Sequence, residues 1–188
     1  MLKKTISWLL ILALLCSCCM LSVFATEPTS DEEAKTQGYH FKVTASDGTV
    51  TYGKFNETVA ADGARDGAFA NVASGSTITL LTNATIEREL HLNGVYTIDG
   101  AGKTLNTRLR SDSGSANVTV KNVTFDVTLT TSNGYFYQLN ANNKCVFENC
   151  TFDIKGEPGA GLFVQRGDRV AYVSALFALV GRHGQHDK

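Results

Sequence analysis

The stretch Val118 to Val127, Val-Thr-Val-Lys-Asn-Val-Thr-Phe-Asp-Val, returns as Cys145 to Ile154, Cys-Val-Phe-Glu-Asn-Cys-Thr-Phe-Asp-Ile, at a constant offset of 145 − 118 = 27. Asn122/Asn149, Thr124/Thr151, Phe125/Phe152 and Asp126/Asp153 are identical, and apolar residues face apolar residues at Val118/Cys145, Val120/Phe147 and Val123/Cys150. Self-similarity with a period in the twenties is the mark of a solenoid, in which each coil buries its apolar face only against its neighbours. Val118 and Val120 alternate in phase, and so do Val123 and Phe125, so the period-two pattern slips at Asn122. A residue that tolerates left-handed backbone angles belongs at such a corner, and stacked side-chain amides can hydrogen-bond along the ladder.

The chain before the repeat uses the same vocabulary. Thr77 to Leu81, Ala84 to Ile86, Leu90 to Leu92, Tyr96 to Leu105 and Arg108 to Arg110 are short strand-like runs separated by Gly, Asn, Asp or Ser, with no helical segments between. That pattern predicts all-β structure. A fixed offset between copies predicts parallel stacking of one coil on the next. Residues 76–156 are therefore expected to form about four or five coils.

Upstream, residues 39–75 are expected to cap the first coil, since a solenoid cannot leave its terminal apolar layer open to water. Phe41, Val43 and Ala45 alternate, Asp47-Gly48 turns the chain, and Val50 and Tyr52 continue, which is a hairpin signal. The period then changes, and short helices are expected around Phe55 to Ala61 and Ala68 to Ala73, with an irregular loop, to which Gly63 and Gly67 point, as the competing reading. Residues 26–38 are acidic, without apolar periodicity, and read as a disordered linker.

At the extreme N-terminus, Lys3 and Lys4 precede an apolar run from Trp8 to Phe24 that closes on Val23-Phe24-Ala25. This is the layout of a secretion signal spanning residues 1–25, with a lipoprotein box at Leu15-Cys16-Ser17-Cys18 and a retained membrane anchor as the competing readings. Cleavage there removes two lysines and no acids, so the mature charge is 15 − 18 = −3, with no basic excess to suit nucleic acid. Cys16, Cys18 and Cys19 leave with the signal. Cys145 and Cys150 stand where the earlier copy has valines, so they read as small buried apolar residues, with a disulfide between them the competing reading in an exported protein.

The end departs from the pattern. After Gly156 comes Glu157-Pro158-Gly159-Ala160-Gly161, and Val170 to Val180 spans 11 residues, short of the ~20 that cross a bilayer. Residues 157–188 read as an atypical tail: a capping helix, the start of a further coil, or a chain truncated or shifted in frame near Gly156. No membrane span is expected in the mature chain.

Ser76 to Ile86, Tyr96 to Leu105 and Val120 to Phe125 together resemble the opening coils of pectate-lyase-like right-handed parallel β-helix proteins, and more closely the large exported surface proteins of Gram-positive gut bacteria that carry this fold. The resemblance covers roughly Tyr39 to Gly156. It implies the fold and an extracellular or cell-surface location. The same coils serve lyases, hydrolases, adhesins and stalks, so it implies no single activity.

Among side chains that carry chemistry, Asp126 and Asp153 are one coil apart, about 4.8 Å on the outside of a ladder, a spacing that suits Ca²⁺ between oxygen ligands or two solvated carboxylates. Lys121 over Glu148 is expected as an opposite-charge ladder pair. Arg108 and Arg110 bracket Leu109, point the same way, and are the candidate contacts for an acidic glycan. Paired catalytic aspartates and a Ser/His/Asp arrangement with supporting context are missing from the sequence. His40 and His91 have no partner at ligand spacing, and His183, His186 and Asp187 lie in the tail. Five Asn-x-Thr sequons, at Asn56, Asn83, Asn117, Asn122 and Asn149, are also what a threonine-rich ladder with asparagine corners produces by itself. The expected function is an exported structural or adhesive module that binds polysaccharide or a host-surface glycan, without a cofactor. The alternative is the N-terminal part of a calcium-dependent lyase on acidic polysaccharide.

Overall fold

The computed structural model describes residues 27–58, 65–112, 116–129, 135–140, 142–156, 163–166 and 172–175. The coils run through three sheets. Sheet A holds β4 (Thr77–Leu80), β7 (Val95–Asp99), β10 (Asn117–Lys121), β13 (Lys144–Glu148) and β16 (Tyr172–Ala175). Sheet B holds β3 (Arg65–Asp66), β6 (Glu89–His91), β9 (Leu109–Ser111), β12 (Tyr137–Asn140) and β15 (Phe163–Arg166). Sheet C holds β5 (Ala84–Thr85), β8 (Thr104–Asn106), β11 (Thr124–Leu129) and β14 (Thr151–Gly156).

Every pairing between these strands is parallel. The chain visits B, A and C in turn and then climbs, giving a β-solenoid of about three turns, a parallel β-helix.

The register explains the alternating sequence. Ile78, Ile98, Val120 and Phe147 stack in one inward column of sheet A, and Tyr96, Val118 and Cys145 in another. Leu105, Phe125 and Phe152 stack in sheet C, and Leu90, Leu109 and Tyr137 in sheet B. Except for the half-buried Phe152, all of these are buried. The Phe125 and Phe152 rings are stacked at 5.5 Å, and Phe136 and Phe147 meet Phe125 edge-on at 5.1 and 6.0 Å.

The corner falls at the expected asparagines. Asn122 and Asn149 have φ of 56° and 50°. Asn149 Nδ2 donates to Asn122 Oδ1 at 2.8 Å, and Asn122 Nδ2 donates to Asp99 Oδ1 at 3.0 Å. One coil lower, Gly100 fills the tightest point of this corner: a Cβ there would lie 2.4 Å from the Asn122 carbonyl oxygen.

The 27-residue period holds only where it was read. Val118 to Cys145 and Phe125 to Phe152 keep it, but Thr77 pairs with Thr97, Val95 with Asn117 and Thr104 with Thr124, offsets of 20, 22 and 20. The ladder fixes strand against strand and leaves the connections free. In the second coil two residues, Thr107 and Arg108, link β8 to β9, whereas β11 runs longer and the chain from 130 to 136 separates it from β12. That added length is where Tyr135 lies.

The cap is a hairpin, β1 (Phe41–Thr44) and β2 (Val50–Gly53), turning at Gly48 with φ +86°. β1 runs antiparallel to β4 and closes sheet A. Phe41, Phe55 and Phe69 plug the open end, with ring centroids 4.9 to 5.7 Å apart, and Tyr96 of the next coil meets Phe69 at 6.0 Å.

The expected cap helices differ from what forms. Residues 68–71 make a turn and 72–73 are irregular, and around Phe55 the positive φ of Asn56, 66°, is incompatible with a helix; 59–64 lie outside the described residues. Asn56 has another task. Its amide donates to the Thr85 carbonyl at 3.0 Å and accepts from the Glu87 N–H at 2.8 Å, pairing with the open edge of sheet C as a strand would.

Residues 26–38 also depart from expectation, because they carry a short helix, α1 (Asp31–Thr36). Ser30 caps it by accepting from Glu33 N–H at 3.2 Å, and Asp31 accepts from Lys42 at 2.6 Å and from the Tyr52 hydroxyl at 3.2 Å. Ala34 is fully buried. Tertiary anchoring to the hairpin, invisible to periodicity, orders a segment whose composition alone favours disorder. Residues 1–25, the expected signal, lie outside the described residues. Of the tail, β15 and β16 extend sheets B and A in parallel, so 172–175 is strand where a capping helix was one expectation.

Truncation of Phe125 to alanine should lower stability by about 3–5 kcal/mol in urea unfolding. Phe152→Ala should cost less, since that ring is half-buried on the last described strand of sheet C. Equal costs would mean that the stack continues with the same density past β14.

His40 gives the cap a pH dependence. Its Nδ1 accepts the Phe55 N–H at 3.0 Å and its ring stacks on Phe55 at 5.6 Å, so the folded form needs a neutral imidazole. Burial, together with Lys54, holds its pKa below the ordinary 6.5 against the pull of Glu57 and Asp66. The unfolded chain therefore takes up the proton first as pH falls. This contribution should be complete above about pH 6.5 and decline below it, and His40→Gln should flatten the profile of unfolding midpoints between pH 7.5 and 5.

Candidate functional site: a charged ladder on sheet B

In-register stacking carries outward side chains into columns as surely as inward ones. On sheet B, Arg65 pairs with Glu89, His91 with Arg110, and Arg110 with Gln138. Alternation along each strand then puts Glu89 and His91 of β6, and Arg110 followed by Asp112 of the third coil, on one outer face.

The groups there are closely linked. Glu89 accepts from the Tyr135 hydroxyl at 2.6 Å and is ion-paired with Arg108 Nη1 at 3.0 Å, with Arg65 Nε at 3.7 Å and with Arg110 Nη1 at 3.8 Å. Asp112 takes Arg110 Nε at 2.9 and 3.1 Å, Asn140 Nδ2 at 3.2 Å, and an ion pair from Arg65. His91 Nε2 lies 2.8 Å from Asn93 Nδ2 and 3.8 Å from Asp112.

Tyr135 ties the columns together. Its hydroxyl accepts from Arg110 Nη1 at 3.3 Å, and the Arg108 guanidinium lies 5.3 Å from its ring centroid. Burial, followed by the hydrogen bond to Glu89, pushes the phenol above the usual tyrosine range, so it is a proton donor at neutral pH. Side-chain exposures of 11% for Glu89 and 20 to 23% for Arg108, Arg110 and Asp112 place this network in a partly desolvated setting, where charge-assisted hydrogen bonds count for more than on an open surface.

Arg108 and Arg110, the residues singled out in the sequence, are thus brought together, though through shared acidic partners. Glu89, Asp112, Arg65 and Tyr135, which complete the network, are not singled out by the repeat. The outward alternation of Glu89/His91 and Arg110/Asp112 was a usable signal. Tyr135 had none, since it reaches the face from the connection that lengthens the third coil.

The second candidate pair lies on sheet C. Asp126 and Asp153 are in register, as expected, and Lys155 from β14 reaches both, with Nζ 2.8 Å from Asp126 Oδ1 and 3.2 Å from Asp153 Oδ2. The chain itself thus provides a cation between the stacked carboxylates. Hydrogen bonds to Asp126 and then Asp153 raise the Lys155 pKa, so it stays charged. The two aspartates fit a divalent ion in charge, but among the described residues no group of three or more His, Cys, Asp or Glu converges on one point.

Lys121 is in register with Glu148, but its ion pair at 3.3 Å is with Asp99 on the coil below. Against burial, the Asn122 amide, the Ala101 N–H and Lys121 hold Asp99 below the usual carboxylate range. Cys145 and Cys150 are free and buried, and burial pushes the Cys145 thiol up to about 12, which suits packing and not reactivity.

Among the described residues no helix is long and apolar enough to cross a membrane. No protein-family model, no curated protein and no solved structure matches this chain. The described residues form a parallel β-solenoid with a partly buried charged network on the outer face of sheet B.

Replacing Lys155 by methionine should leave Asp126 and Asp153 facing each other uncompensated. Millimolar Ca²⁺ should then raise the variant's melting temperature while leaving that of the unaltered chain unchanged. A calcium-dependent rise in the unaltered chain would show that the ion displaces Lys155.

Proposed function

We propose that the chain is an exported structural or adhesive module of the cell surface, related to the pectate-lyase-like β-helices, that binds polysaccharide through the outer face of sheet B at Arg108 and Arg110. The observation that carries this reading is the network around Tyr135. Three arginines, two carboxylates and a phenol converge on one face. Aromatic rings beside planar hydrogen-bonding groups are what sugar surfaces require, an apolar face and a fringe of hydroxyls.

The leader-like residues 1–25 support export. The solenoid supports a rigid, extended display, because each coil contacts only the coils above and below it.

The lyase reading keeps one observation, the register of Asp126 over Asp153. The Lys155 ammonium between them makes it the weaker of the two, since a calcium ion would have to displace a bound cation.

The test is retention on immobilised polysaccharides, charged and neutral. The unaltered chain should be retained on at least one, and Arg108→Ala combined with Arg110→Ala should weaken retention about tenfold or more, about 1.4 kcal/mol. Circular dichroism of the double variant should stay strand-rich. Retention unaffected by the two substitutions would move the binding face elsewhere.

A further inference from the structure

Sheet A does not end with the coils. Below β4 it continues through β1 to β2, and among the described residues β2 pairs with β1 alone. What its other edge offers follows from the register. The Ala45 N–H donates to the Thr49 carbonyl at 2.9 Å, so the hydrogen-bonded pairs of the hairpin include Ala45/Thr49 and Val43/Thr51. Val50 and Tyr52 occupy the alternate positions, and their N–H and C=O groups point away from β1, along the open edge.

Such an edge is a template for pairing, and proteins commonly blunt it with charge, proline or a bulge. Val50-Thr51-Tyr52-Gly53 holds no charged residue and no proline, and its register with β1 is unbroken. Val50 is 46% exposed, one of two large apolar side chains among the described residues that face water to this degree. Thr51 beside it is exposed as well.

The strand is also complementary to itself. In an antiparallel pair with a second copy, related by a two-fold axis at Thr51, Val50 stands opposite Tyr52 of the copy, and Tyr52 opposite Val50. These are the positions whose backbone groups are open, so four hydrogen bonds close. A shift by one residue would set them against groups already bonded to β1. On the face where the Tyr52 hydroxyl donates to Asp31, each valine meets a tyrosine ring, an aromatic–β-branched pair. On the other face Thr51 meets Thr51. Beyond the strand, Lys54 comes opposite Gly48 of the copy, next to Asp47, so the ends of the pair meet with opposite charge.

We propose that β2 is a dimerisation edge: two copies join cap to cap through an antiparallel β2–β2 pair centred on Thr51, which makes sheet A continuous across both solenoids. Four residues a side bury little area, so the dimer is a weak one that forms by mass action.

The experiment is analytical ultracentrifugation of the purified chain at concentrations up to about 1 mM, the range of weak complexes, with amide hydrogen exchange followed at Val50 and Tyr52. A monomer–dimer equilibrium is expected, with both amides exchanging fast in the monomer and slowly in the dimer. Thr51→Lys sets like charges against each other at the axis and should weaken the dimer about tenfold or more, as should Thr51→Asp. An equimolar mixture of the two variants should dimerise again. Val95→Lys, which alters the other exposed valine, on β7, should leave the dimer unchanged.

A chain that stays monomeric over the whole range would overturn the proposal. So would slow exchange of the Val50 and Tyr52 amides in the monomer, since the edge would then be paired within one chain. Association that survives Thr51→Lys would place the contact elsewhere, and growth beyond a dimer would mean a head-to-tail contact that does not close. Failure of the mixed Lys and Asp variants to associate would overturn the register through Thr51.

Discussion

The in-register parallel ladder is the constraint on which everything else in this molecule depends. Backbone hydrogen bonds between coils hold successive strands at one spacing, about 4.8 Å, so each side chain has a fixed neighbour above and below. Inside, that demands a column of mutually compatible apolar residues: Ile78, Ile98, Val120 and Phe147 meet the demand in sheet A, and Leu105, Phe125 and Phe152 in sheet C. Outside, it turns isolated charges into columns. The same rule that stacks phenylalanines sets Arg65 on Glu89 and Asp126 on Asp153.

A ladder also creates two problems, and both are solved with asparagine. A corner needs left-handed backbone angles, which Asn122 and Asn149 adopt while their amides continue the hydrogen-bonded column down to Asp99. An end needs its open edge paired, and Asn56 does this for sheet C by presenting its amide to Thr85 and Glu87 as a peptide group would. The rest of the cap is apolar closure by Phe41, Phe55 and Phe69. His40 adds a condition to that closure, since its acceptor nitrogen is lost on protonation.

Much of this could be read from the sequence because packing inside a ladder is periodic and local. The Val118–Val127 repeat predicts the solenoid, the inward columns, the asparagine corner and the burial of Cys145 and Cys150, and each of these is present. The hairpin was signalled by Asp47-Gly48. The cap interior and α1 differ from the sequence expectation because their order comes from single anchors, Phe55, Phe69, Ala34 and the Asp31–Lys42 pair, and single anchors have no period. Of the site, Arg108 and Arg110 could be picked out as a strand pair facing one way. Their acidic partners could not be assigned, because register between coils depends on connection lengths that vary from coil to coil.

The sequence by itself thus determined the architecture: a period-two pattern with a slip at Asn122 admits a parallel coil and little else, and the stacked residues of one coil dictate those of the next. Only the tertiary structure decided where the chemistry lies. The Tyr135 hydroxyl reaches Glu89 across 46 residues of chain because the third coil is longer than the second, and that added length delivers the ring to the sheet B face beside Arg108. Lys155 settles between Asp126 and Asp153 for a similar reason, since only the ladder brings a charge from one coil over two carboxylates on successive coils. Periodicity specifies which residues stack; the lengths of the connections, which carry no period, specify which columns meet.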